Sequence, residues 1–81
     1  MNLERAAMRG LLAEKKEAID RLRLRIRGNC DAIRTGLNTA LTPVDDLEIP
    51  IVAEQMDELV SAWGELQAAL SEAARLEREL L

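Results

Sequence analysis

The side chains best able to do chemistry in this chain are few and stand apart. Cys30 is the one thiol, and histidine and tyrosine are absent. A single thiol can close no disulfide within the chain and cannot build a zinc site. Acid–base chemistry would fall to carboxylates or lysines on solvated helix faces, a poor setting for tuned proton transfer. Glu54, Asp57 and Glu58 share one helical turn and could attract a cation, but acids at that place more simply complement the dipole of a starting helix. Gly10, Gly28, Gly36 and Gly64 are scattered singly, so no phosphate-cradling loop appears. Cys30 reads as a small buried thiol. The expectation is a non-enzyme with no catalytic, cofactor-binding or metal-binding residue.

The arginines offer a different chemistry. Arg21, Arg23, Arg25 and Arg27 alternate along a short segment, with Arg34 beyond, and guanidinium groups contact phosphates well. On a helix, however, Arg21 and Arg25 flank one side of the Leu22–Ile26 line, and Arg23 and Arg27 the other. Those are places where charges meet a neighbouring helix, with Glu65 and Glu72 at similar heights. The net charge of −4 and a single aromatic residue also disfavour nucleic acid as a partner. A nucleic-acid-associated regulator using these arginines remains the alternative reading. A small subunit that folds on a larger partner is another.

Whatever these residues do, helices must position them. The chain has 81 residues and no Phe or Tyr, and Trp63 is its only aromatic. Leu, Ala, Glu and Arg dominate, all good helix formers. No apolar run is long enough for a signal peptide or a membrane span. A cytoplasmic protein with no membrane partner is the expectation. Residues 1–40 carry nine Lys/Arg against five Asp/Glu, and residues 41–81 two against ten. A basic half and an acidic half attract each other.

Apolar residues recur at steps of three and four in both halves. Helix 1, about residues 3–40, carries Met8, Leu12, Ile19, Leu22, Ile26, Ile33 and Ala40, with Lys15, Asn29 and Gly36 as gaps. Helix 2, about residues 50–80, carries Val52, Met56, Leu59, Trp63, Leu66, Leu70, Ala73 and Leu80, broken only by Glu77. Between them, about residues 41–49, Thr42, Pro43, Asp45 and Asp46 interrupt helix. Pro43 and Pro50 each suit the first position of a helical turn, and Ile49 is pushed from helical geometry by the proline after it. One segment competes: Arg21–Arg27 alternates as a strand would, and so do Leu47, Ile49 and Ile51. A lone two-stranded ribbon is barely stable in water, which favours the helix.

Folding the chain so that paired positions sum to 92 aligns the two stripes. Lys15 then meets Glu77, Asn29 meets Trp63 and could accept its indole N–H, and Gly36 meets Met56. A polar pair of this kind can specify register. Leu3 and Met8 would overhang the end of helix 2. Helix 2 is also apolar beyond its seam, with Ala53, Val60, Ala74 and Leu81 on one flank and Ala62, Ala69 and Leu76 on the other. One opposing helix cannot cover so wide a face. Leu3, Met8, Val60, Ala62, Ala69, Leu76 and Leu81 are therefore the candidate surface for an oligomer or another protein.

The segment Ile26-Arg27-Gly28-Asn29-Cys30-Asp31-Ala32-Ile33-Arg34, with Leu41-Thr42-Pro43 and a helix ending Leu76-Glu77-Arg78-Glu79-Leu80, resembles short uncharacterised two-helix proteins of Mu-like phages and prophages. The resemblance spans nearly the whole chain. It implies a bacterial cytoplasmic or phage setting and supplies no active residues. The sequence thus points to an all-α antiparallel two-helix hairpin, coiled-coil-like, completing a four-helix bundle as a homodimer. Its expected work is protein–protein interaction, as a small phage or prophage accessory protein.

Overall fold

The computed structural model of the chain describes residues 2–81. The first helix, α1, spans Leu3–Gly36. Asn2 caps it, its side-chain oxygen accepting the Arg5 backbone N–H at 3.0 Å, which satisfies one of the donors a helix start leaves open. The helix runs without a break through the alternating Arg21–Arg27 segment and through Gly28-Asn29. Helical phase buries Ile19 and half-buries Leu22 and Ile26, at the expense of leaving Leu24 67% exposed. One solvated leucine costs less than an interrupted hydrogen-bond ladder. Among the described residues there is no strand.

α1 stops at Gly36, four residues short of the stretch its periodicity suggested. The Leu37 N–H still bonds back to the Ile33 carbonyl at 3.0 Å. Asn38 then turns the chain. Its side chain accepts the Ala40 N–H at 2.9 Å, and its carbonyl accepts the N–H groups of Leu41 and Thr42. Asparagine favours such local bonding over continued helix. Ala40 is consequently exposed and takes no part in the seam. Pro43 lies extended ahead of a single 3₁₀ turn, Val44–Asp46, rather than inside it. The second helix, α2, spans Ile49–Leu80 with Pro50 in its first turn, where the missing N–H is no loss. Ile49 is already helical, one residue before the expected start.

The two helices pack antiparallel along their lengths into a rod of 65 × 16 × 15 Å. The core is a thin line of buried side chains: Ile19 and Ile33 from α1, and Val52, Ala62, Ala69, Ala73 and Leu76 from α2. Around its centre, Ile19 meets Ala69 and Ala73, with Leu12, Leu22, Leu66 and Leu70 half-buried against them. At the turn end the helices come closest at Gly36. A Cβ added there would sit 2.7 Å from a methyl of Val52. Val52 is buried and stiff about its β-branch, so it cannot yield easily.

This contrast between glycines is testable by thermal melting. Gly28→Ala meets nothing within 4 Å and should stabilise the hairpin by about 0.5–1 kcal/mol through helix propensity. Gly36→Ala should instead destabilise it, because displacing a packed methyl costs about 1–3 kcal/mol. Equal shifts of the same sign in the two variants would contradict the close approach.

Candidate interaction surface

The helical phase of α2 decides which residues face α1 and which remain free. Two interleaved stripes run along this helix and share Val52, Leu59, Leu66, Ala73 and Leu80. The seam read from sequence adds Met56, Trp63, Leu70 and Glu77 to that set. The structure instead fills the seam with Gln55, Ala62, Ala69 and Leu76: the last three are buried, Ala62 fully, and Gln55 is half-buried. Met56 is 43% and Trp63 57% exposed. The physical reason is twofold. Alanines let the helix axes approach closely, where an indole would hold them apart. Choosing Leu76 over Glu77 also avoids burying a carboxylate. Ala62, Ala69 and Leu76 are thus core residues and offer nothing to a partner, contrary to the sequence-based expectation.

The remaining expected seam contacts shift accordingly. Glu77 pairs on the outside with Lys16 at 3.6 Å, not with Lys15. Lys15 is half-buried. The Glu72 carboxyl is held below its usual range chiefly by a hydrogen bond from Arg75, with the Lys15 charge adding to the effect. Arg75 also bonds Glu79 at 2.8 Å. Asn29 stays in the seam, half-buried, but Trp63 is turned away from it, and the Asn29 Nδ2 has no partner. The Gln55 Oε1 is likewise buried without one. At the free end the overhang is shorter than expected. The Arg5 guanidinium donates to the Leu80 carbonyl, capping α2, and Met8 is half-buried. Leu3 and Leu81 remain exposed.

The four alternating arginines divide between two grooves. Arg21 and Arg25 line one side of the hairpin, where Arg25 pairs with Glu65 at 3.2 Å. Arg23 and Arg27 line the other, beside Ile26, Leu66 and half-buried Cys30. Among the described residues Arg21, Arg23 and Arg27 make no ion pair. They therefore form no single phosphate-facing patch. Among the described residues no group of His, Cys, Asp and Glu is arranged to hold a metal ion. No helix is long and apolar enough to cross a membrane.

What α2 leaves open is a second continuous apolar stripe. Ile49, Ala53, Met56, Val60, Trp63, Gln67, Leu70 and Ala74 follow one another at steps of four and three. Ile49 is 50% and Val60 63% exposed, and only Leu70 is half-buried, against α1. By helical geometry this stripe lies roughly a third of a turn from the seam. No charged residue falls on it between Ile49 and Ala74, although the helix carries seven acids and two arginines. Val60 was legible as surface from the sequence. Met56 and Trp63 were misplaced because both interleaved stripes fit the same spacing, and the seam's lack of charge was the signal that separates them. Compared with protein-family models, curated proteins and solved structures, the chain matches none.

Two substitutions test this assignment of faces. Ala62→Leu should lower the melting temperature, since a larger side chain at a fully buried position costs about 1–3 kcal/mol and each kcal/mol shifts a domain of this size by about 4–8 °C. Asn29→Leu should raise it, the hairpin gaining about 1 kcal/mol of stability as an unpartnered amide leaves the seam. A neutral Ala62→Leu would mean that the helices do not approach there.

Proposed function

We propose that this chain is a non-enzymatic interaction module that completes its fold by self-association, as a homodimeric four-helix bundle built on the open face of α2. The observation that carries this reading is the charge-free stripe centred on Val60 and Trp63. A small two-helix fold buries little, and among the described residues only seven apolar ones are buried. Small folds of this kind need regular packing or a partner chain. A long apolar stripe on an amphipathic helix is the usual way to recruit one. The resemblance to small proteins of Mu-like phages supports a small accessory role in a bacterial cytoplasm, exercised through binding.

Sedimentation equilibrium tests the reading. The weight-average mass should rise with concentration from the 9.0 kDa of one chain towards twice that value. Trp63 is the only aromatic residue, so its emission should shift to the blue over the same range as the indole leaves water. Trp63→Glu should abolish the rise in mass while leaving helical circular dichroism intact. A mass that stays at one chain at every concentration would overturn self-association.

A further inference from the structure

The two sides of the hairpin balance charge differently. Arg21 and Arg25 edge one groove, and α2 answers there with Glu65, which pairs with Arg25 at 3.2 Å. By helical spacing Glu54, Glu58 and Glu72 share that side of α2. The groove on the opposite side has a longer basic edge. Arg9, Lys16, Arg23, Arg27 and Arg34 follow at steps of seven and four, which keeps them on one line of α1 for about 38 Å. All of them are exposed. Lys16 and Arg23 line this groove with Leu70 and Ala74. Arg23, Arg27 and Arg34 line it further along, with Leu66. Trp63 stands one heptad from Leu70 on the same wall. Among the described residues, Glu77 is the one acid of α2 along this groove, and it lies at the free end, paired with Lys16. Arg9, Arg23 and Arg27 make no ion pair among the described residues.

We infer that this groove receives an acidic amphipathic α-helix of another protein, laid along the hairpin as a third helix. Its apolar side rests on Trp63, Leu66, Leu70 and Ala74, and its acidic edge meets Arg9, Arg23 and Arg27. A basic row and an apolar row side by side are what such a helix requires. The apolar row supplies attraction, and the charged row sets orientation and choice of partner. This goes beyond the self-association proposed above and uses one hairpin alone. The α2 helix of a second copy does not supply the occupant, because its acids and its open stripe lie on opposite sides of the helix. A nucleic-acid duplex fits less well, since its outer surface of phosphates brings nothing apolar to Trp63 and Leu70. An anionic bilayer also fits less well. Asp20 and Asp31 stand on the outer side of the basic line, where a flat sheet of headgroups would meet them first.

Two designed peptides without tryptophan, each of about 25 residues to match the basic line, test the fit. Both carry a stripe of leucine and alanine; one has glutamates along its edge and the other lysines. Each is titrated into the hairpin at a concentration where sedimentation gives the mass of one chain, so the result does not depend on self-association. The glutamate peptide should shift Trp63 emission to the blue saturably, and bind more weakly as salt rises. The lysine peptide should produce no shift. Arg23→Glu/Arg27→Glu, at two exposed positions, should weaken binding of the glutamate peptide by roughly tenfold, since each reversal exchanges attraction for repulsion. The same variant should gain binding of the lysine peptide, and that gain requires a folded hairpin. Equal response to both peptides, response to neither, or an unchanged preference in the variant would overturn the proposal. So would a response to phosphatidylglycerol vesicles or duplex DNA without one to the glutamate peptide.

Discussion

Close approach of two helices through alanines is the constraint on which this fold depends. Ala62, Ala69 and Ala73 are buried along α2, and the last two meet Ile19 of α1 with Leu12 and Leu22 packed beside them. Small residues on one helix let larger ones on the other fill the space between the axes. With one cysteine and one aromatic residue in the chain, neither a disulfide nor an aromatic cluster helps, and this line of contact and Leu76 at its end hold the hairpin together. Gly36 belongs to the same logic: where the chain turns back, even a methyl group would strike Val52.

Packing through the alanine side has a consequence for the rest of α2. A helix presents its larger residues wherever the small ones are not. Once Ala62 and Ala69 face α1, Met56, Val60 and Trp63 must face outwards. The bulk that would have strengthened an intramolecular core is displaced to the surface, where only another molecule can cover it. The thin core and the open stripe therefore have one cause. The polar gaps in the seam, Asn29 and Gln55, weaken the hairpin further, since each leaves an unpartnered buried atom.

Electrostatics follow the packing and do not direct it. Lys16–Glu77 and Arg25–Glu65 bridge the helices from opposite sides, both largely exposed to solvent. Pairs of this kind contribute little to stability. They agree with the attraction between a basic first half and an acidic second half, and they leave the arginines divided between two grooves. Arg75, held between Glu72 and Glu79, ties together the last turns of α2 by bonds within that helix.

The sequence by itself determined the helices, their antiparallel pairing and the approximate register. These follow from local propensity, from periodicity and from the two prolines around the turn, all of which act within short stretches of chain. Ile19 meeting Ala73, and Glu77 finding a lysine one residue from the expected one, fit that register towards the free end, whereas at the turn Gly36 meets Val52 instead of Met56, one helical turn away. The end of α1 was less legible, because Asn38 stops it by bonding to its own neighbours while the apolar spacing continues to Ala40. Only the tertiary structure decided which of two interleaved stripes on α2 faces inwards. Both stripes have the same period and share every second residue, so spacing cannot distinguish them. The choice was settled by how near the axes can come and by where a carboxylate can stay in water, and both are properties of two helices packed together.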